Sequence, residues 1–523
     1  AFGNAGQMPQ ILKQAGMDTV TFGRGVRPVG FDNEIQENGN YESPYSEMMW
    51  ESPDGTKIFG ILFANWYNNG NEVPTDKKSA KEYWDDRLKK VATFASTDEY
   101  LLMNGCDHQP VQADLGKAIE VASELYPDIN FKHSNFPDYI KAIKEKVPND
   151  LAVVKGELTS QDTDGWSTLM NCASSHIYLK QMNRKCELAL ENGAEPVRVL
   201  SSVLGQNYPS DELEYSWKKL MQNHPHDSIC CCSVDEVQDE MATRFNKSKQ
   251  VADYLVSEGK RYIADKINTK EYEKYKNVLP FVVFNTTGRE RTSVVSVEID
   301  VTRKSGWLKK CAYDLDEINV PNYKLIDSAG NSIPFKIEDL GVRFGYDLPK
   351  DKFRQPYMAR RVRVTFEAEN ISAVGYKTYA LVEGDAEKVT DTLVSGENCM
   401  ENDAIRVEIN KNGSLNVTDK ASGRTYKGVA YYEETGDLGN EYMYKMPEGS
   451  KAITTQDTVA KIELAEDEPY RAMYKITNTI TVPKSGDDNF EDEKRHMVFF
   501  KERVGGRSND TVEMKIETFV SLD

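Results

Sequence analysis

Two short stretches of this sequence carry side chains able to do chemistry. The first, Asn223-His224-Pro225-His226-Asp227-Ser228-Ile229-Cys230-Cys231-Cys232, packs two imidazoles, a carboxylate and three thiols into ten positions. The second, Asn104-Gly105-Cys106-Asp107-His108-Gln109-Pro110, sets a carboxylate beside an imidazole. Neutral imidazole is the commonest protein ligand for zinc. A carboxylic acid in a partly desolvated pocket holds its proton near neutral pH and can pass it to a leaving group. Each stretch also has a plainer reading. His224 and His226 can hydrogen-bond the backbone of a connector, and Asp107 can be a turn or capping aspartate. One loop cannot complete a four-ligand zinc site, so partners for His226 must come from elsewhere.

The elements around these stretches must position them. Leu213, Trp217, Leu220 and Met221 recur at helical spacing behind Ser210 as N-cap, and Pro225 forces the chain out of the helix. Ser233 and Glu236 have the spacing of a capping box, and Val237, Met241 and Phe245 form the next apolar stripe. The pattern predicts that His224, His226 and Asp227 lie in a short loop pinned between two helices. In the first part of the chain helix and strand alternate. Helices are predicted over 7–15, from a Thr75 cap to Phe94, over 115–125 and over 139–146; strands over 19–23, 57–63, 100–103 and 151–154. Such alternation predicts a largely parallel sheet or barrel with its chemistry at the carboxyl ends of the strands. That rule selects Arg24, then Trp66 and Tyr67, then Asp107 and His108, then Glu157. Trp66 and Tyr67 read as core aromatics or as a wall for a sugar ring. Arg24 reads as an ion-pair partner.

Further on, residues 159–270 read as helix throughout, suited to a small bundle. From Val278 the apolar period becomes two, with Val295, Val297, Ile299 and Val301, then Val362, Val364 and Phe366, then Ile476 and Ile480. Asn412-Gly413 predicts a type I′ hairpin. The polar run EGDAEKVTDTLVSGEN separates two β regions, and His496 reads as a solvated surface histidine. The expected fold class is multi-domain, α/β plus α plus β. It comprises a partial (β/α) barrel-like catalytic domain over 1–158, a helical bundle over 159–272, a β domain over 277–385 and a β-sandwich domain over 395–523, the last two antiparallel.

Composition narrows the partners. A chain of 523 residues with 39% hydrophobic and 28% charged residues holds several cores. Its net charge of −19 argues against a nucleic-acid partner, since phosphate backbones are bound through basic surfaces. No stretch approaches the roughly 18 apolar residues of a membrane span. Eight cysteines in such a length make no disulfide scaffold, and Cys230-Cys231-Cys232 cannot all pair locally without strain, so a reducing cytoplasmic home is expected.

Four motifs sharpen these readings. AFGNAGQMPQIL from Ala1, LLMNGCDHQPVQ from Leu101, GELTSQDTDGW from Gly156 and NHPHDSICCCSVDEV from Asn223 occur in that order, with FVVFNTTGRERT from Phe281 following more loosely. Together they resemble the glycoside hydrolase family 38 α-mannosidases in their bacterial form. The resemblance implies zinc-dependent hydrolysis, with retention, of terminal α-linked mannose in an oligosaccharide or glycan. It implies Asp107 as acid/base, His226 as a Zn2+ ligand, Asp227 as a substrate-hydroxyl contact, and Arg24, Tyr67, Trp66 and His108 as further substrate contacts; His224 stays unassigned. The family's other zinc ligands, a His-x-Asp pair and the nucleophilic Asp, have no match here, and the nucleophile would fall one residue before Ala1. The expectation is therefore an internal fragment, truncated at both ends and inactive alone. The rival reading is a glycan-binding or scaffold protein without catalysis; a zinc peptidase would need HExxH or a like spacing, which is absent. Two departures stand out: Cys231 where the family has Gly, and His176 where it has Arg. Nothing in the sequence excludes a homo-oligomer.

Overall fold

The computed structural model describes residues 3–26, 42–63, 65–159, 169–349, 351–386, 390–437, 442, 444, 446–447, 449–485, 494–497, 500–502, 507 and 509–523. The first part holds a four-stranded sheet of β1 (Thr19–Phe22), β2 (Glu47–Glu51), β3 (Lys57–Leu62) and β4 (Val153–Lys155), in the order β1-β3-β2-β4. β1 runs parallel to β3 and β4 parallel to β2, but β2 and β3 are antiparallel. The sheet is thus mixed and, among the described strands, open, which does not confirm the barrel-like expectation. β2 was not predicted, because Glu47 and Glu51 bracket its apolar centre; yet Glu47 is wholly buried. Its carboxylate accepts hydrogen bonds from Ser46 Oγ at 2.8 Å, Ser96 N at 2.9 Å and the Tyr139 hydroxyl at 3.3 Å.

Alternation along the strands covers both faces. Phe22, Met48, Trp50, Ile58, Leu62 and Val154 pack with α1 (Met8–Gln14) on one side. Phe59, Ile61 and Met49 pack with Ile143, Tyr139 and Ile140 of α4 (Phe136–Lys144) on the other. Between these come α2 (Lys77–Phe94) and α3 (Leu115–Leu125), joined through Ala80, Trp84, Ala118 and Ala122. The cap of α2 is Asp76, not Thr75: its carboxylate accepts from Ser79 N at 2.9 Å. The strand expected over 100–103 is not a strand. The Asn69 amide takes the place of a neighbouring strand there, donating to Leu101 O at 3.0 Å and accepting from Met103 N at 2.7 Å.

Past β1 the chain turns at Gly25, whose φ is +104° and where a Cβ would sit 2.2 Å from Leu158 O. Leu158 is itself fixed by paired backbone hydrogen bonds with Asn4 at 3.0 and 3.1 Å. Left-handed backbone alone costs an L-residue about 1–2 kcal/mol. With the steric overlap added, Gly25→Ala is expected to destabilise this part by about 3 kcal/mol. A lower urea midpoint checks it; an unchanged midpoint would show that the turn relaxes freely.

The middle of the chain is helical, with α5 (Ile177–Ala189), α6 (Glu195–Val203), α7 (Ser210–Met221), α8 (His226–Cys230) and α9 (Asp235–Ala264). Leu179, Leu190, Leu213, Leu220, Met241 and Phe245 form their core. A π-turn over Leu190–Ala194 joins α5 to α6. The helix expected from 169 begins only at Ile177, since Leu169 and His176 are left-handed, with φ of 53° and 44°. The predicted capping box does not form; Ser233 Oγ donates to Asp227 O at 2.9 Å instead.

From Leu279 the chain is mostly strand. A sheet of Arg291–Lys304, Gln355–Ile371 and Phe335–Asp347 shares a core with one of Leu279–Asn285, Gly375–Glu383, Tyr323–Asp327 and Ser332–Ile333. A five-stranded sheet running from Val394–Gly396 to Arg424–Val429 shares another with Lys461–Glu468, Arg471–Pro483 and Thr511–Leu522. All strand pairs in these sheets are antiparallel. Asn412-Gly413 does join a hairpin, but not as a type I′ turn. Gly413, at φ +83°, is left-handed and Asn412 is not. Gly413 N donates to Asn410 O, and Asn410 N to Ser414 O, each at 2.8 Å, which is the three-residue loop with a bulge.

Candidate active site

The loop after β3 builds the first half of the site. Asn65 and Trp66 are consecutive left-handed residues, with φ of 58° and 69°. Trp66 goes inward, only 3% exposed, while Tyr67 stays half-buried. The two rings lie 4.7 Å apart, and Arg24 Cζ sits 5.0 Å from the Trp66 ring centroid. Trp66 therefore backs the site rather than forming an open wall. The Tyr67 hydroxyl donates to Asp107 Oδ2 at 2.9 Å.

Asp107 stands on a turn between Gly105, at φ +143°, and His108, at φ 62°. Asn104 Nδ2 ties this turn to Gly70 O and to Gln112 Oε1, both at 3.0 Å. Asp107 is exposed. The desolvated pocket expected around its carboxyl is not what surrounds it; the Tyr67 hydrogen bond holds it instead. His108 is exposed, and among the described residues no hydrogen bond joins it to Arg24, Tyr67 or Asp107. Glu157 lies beside Gly156 at the far edge of the sheet, on the segment that pairs with Asn4.

Burial lowers the pKa of the Arg24 guanidinium, opposed by the Tyr67 and Asp107 charges. Burial first, then the hydrogen bond to Asp107, push the Tyr67 hydroxyl up to about 12. An ordinary tyrosine ionises near pH 10. A folded-state pKa above the unfolded one contributes stability that is complete below pH 10 and lost as pH rises toward 12. Tyr67→Phe should therefore flatten the fall in urea midpoint over that window. Parallel curves for the two proteins would show that Tyr67 titrates as an ordinary tyrosine.

The second half is built on α8. His226 opens this five-residue helix, so it does not lie in an irregular loop as predicted. It is exposed, with Nε2 3.5 Å from Asp227 Oδ1. His224 is drawn away, its Nε2 2.7 Å from Asn183 Oδ1. His176 has Nδ1 3.1 Å from Ser175 Oγ.

Cys231 ends α8 in the left-handed region at φ 65°, 1% exposed. Glycine meets that backbone demand without strain, and here a buried thiol meets it. Cys230 Sγ and Cys232 Sγ are 3.1 Å apart, and Cys232 Sγ is 3.3 Å from Asp227 Oδ1. Hydrogen bonding to Cys172 and burial push the Cys230 thiol up; burial above all pushes Cys232 up to about 12. The Lys180 ammonium donates to Cys230 O at 3.1 Å, at the carboxyl end of α8 where a cation is favoured.

Cys172 links the halves. It packs against Cys230, with Cys232 and Tyr442 alongside, and its sulfur lies within the field of Arg24, which also feels Asp107. Sequence reading missed Cys172, Lys180 and Asn69. An isolated Cys and a Lys within a helix give no spacing signal. Asn69, in a run of asparagines before Gly70, could have marked a loop clamp.

Three family models match the chain in order. Residues 1–167 match the glycosyl hydrolases family 38 N-terminal domain, 167–263 the alpha mannosidase middle domain and 276–383 the family 38 C-terminal domain 1. A putative mannosylglycerate hydrolase of Halalkalibacterium halodurans is 43% identical over 537 residues, spanning 100% of this chain and 58% of that protein. An alpha-mannosidase from Enterococcus faecalis V583 is similar in structure at a TM-score of 0.80 and 44% identity, over 100% of this chain and 58% of that one. A second Enterococcus faecalis protein, described as in glycosyl hydrolase family 38, gives 0.73 and 37% over 99% and 57%. The chain thus spans little more than half the length of the relatives it matches.

Proposed function

Since this chain belongs to glycosyl hydrolase family 38, we propose that it supplies the acid/base carboxylate and one metal ligand of a zinc-dependent, retaining α-mannosidase. The observation that carries the reading is the Tyr67–Asp107 hydrogen bond beside Arg24, linked through Cys172 to α8, which bears His226 and Asp227.

In this reading Asp107 gives its proton to the glycosidic oxygen as the bond breaks, then takes one from the water that releases the sugar. Tyr67 keeps the carboxyl aimed through both steps. Its hydroxyl stays protonated over the working pH range because its pKa is near 12. His226 would hold the zinc, and Asp227 would receive a sugar hydroxyl. Zinc, when bound, supplies Lewis acidity and a template for the sugar hydroxyls. No residue of this chain is assigned the attacking carboxylate.

The substrate class we infer is a mannose-containing oligosaccharide or glycan, with mannosylglycerate as a second candidate from the relative's name. Eight cysteines in 523 residues are too few for a disulfide scaffold, which supports a reducing, cytoplasmic setting. The test is release of mannose from p-nitrophenyl α-mannoside, an α-mannobiose and mannosylglycerate by the natural protein, with and without chelator. Chelator-sensitive release is expected from at least one. Folded, zinc-loaded protein that binds mannosides without cleaving them would favour the glycan-binding reading instead.

A further inference from the structure

Asp227, Cys230 and Cys232 each offer a ligand atom, and the three atoms lie within 4.8 Å of one another. The backbone makes this convergence. Left-handed Cys231 turns the chain so that the residues on either side of it meet, and Cys232 N donates back to Asp227 O at 3.2 Å. A tetrahedral zinc ion with Zn–S bonds of about 2.3 Å separates its sulfurs by about 3.7 Å. The observed 3.1 Å between sulfurs needs to open by about 0.6 Å, and the 3.3 Å from sulfur to carboxylate by about 0.2 Å. A third sulfur, Cys172, packs against Cys230, and Cys232 is half-exposed, which leaves an entry path.

A plain hydrophobic cluster explains the buried Cys230, but it does not explain why the exposed Asp227 carboxylate lies back against the Cys232 thiol at 3.3 Å. Thiols are weak hydrogen-bond donors and gain little from one another. Two sulfurs and a carboxylate are, by contrast, a donor set for a thiophilic cation.

We propose that Asp227, Cys230 and Cys232 form a second metal site, separate from His226, for a soft d10 cation of the zinc and cadmium class. Binding is balanced by release of one proton from each thiol, two per ion. The site shares Asp227 with the reading of this protein as a mannosidase. If that reading holds, loading the thiols withdraws Asp227 from the sugar and lowers turnover.

The experiment adds cadmium to the natural protein holding one zinc per chain, with no excess zinc, and follows the ultraviolet thiolate-to-cadmium charge-transfer band together with proton release in dilute buffer. One ion per chain and two protons are expected. Cys230→Ser/Cys232→Ser should lose the band, while His226→Ala should keep it. If the double variant does not fold by circular dichroism, Cys232→Ser alone is used, with an expected fall in cadmium affinity of at least tenfold. Absence of the band in protein whose thiols are verified as reduced would overturn the proposal, as would its persistence in the serine variants. Hydrolysis is read separately. Turnover unchanged by cadmium while the band forms would count against Asp227 as a sugar contact and leave the metal site standing.

Discussion

Asp107→Asn in the natural protein is expected to lower kcat for an α-mannobiose by 10²–10⁴-fold, the usual contribution of a positioned general acid. The two mannosides should differ in a telling way. A sugar alkoxide is a poor leaving group and needs the proton, whereas p-nitrophenolate leaves without it. For p-nitrophenyl α-mannoside the loss should be smaller and fall mainly on the second step, where Asp107 acts as base. Azide, which needs no deprotonation, should then restore part of the rate. Zinc content should not change, because the proposed ligand is His226 while Asp107 is held by the Tyr67 hydroxyl. Equal losses on both substrates with no azide rescue would assign Asp107 to turn structure rather than proton transfer.

His226→Ala should do the opposite, removing metal and activity together. A residue at the edge of a metal site costs about 10–100-fold in affinity when mutated, and a direct ligand should cost more. His226 is exposed at the start of α8 and belongs to no core cluster. Its removal should leave the fold intact, and excess zinc should return part of the turnover. Zinc quantification beside the mannoside assay checks it. Full zinc content in His226→Ala would place the ion on other residues.

Much of this site was legible because its residues sit where elements end. Arg24 after β1, Tyr67 after β3 and Asp107 after the Leu101–Met103 stretch are marked by apolar runs giving way to polar residues. What could not be read is how those ends are held. The supposed third strand is a stretch clamped by the Asn69 amide, and side-chain mimicry of a strand leaves no periodic trace. β2 was missed because a buried carboxylate, Glu47, stands where the pattern demands an apolar residue. Three donors satisfy it, from Ser46, Ser96 and Tyr139, the last two far off in sequence. Pro225 reads as a stop, which predicts a loop at His226. Proline is equally suited to begin a helix, and here α8 starts directly after it. Position 231 was flagged as wanting glycine, and the left-handed backbone there gives the reason.

The order of the sheet has a consequence for how the chain is made. β2 pairs with β3 as soon as both are synthesised, but its other edge waits for β4, about a hundred residues later. At ribosomal speeds of about 5–20 residues per second, that interval is on the order of 5–20 s. Throughout it, Met48, Met49 and Trp50 lie along a strand with one edge unpaired, the kind of surface that recruits a neighbouring nascent chain. Expression at lower temperature, or with a chaperone that shields early β edges, should therefore raise the soluble yield more than any change to the β-rich second half.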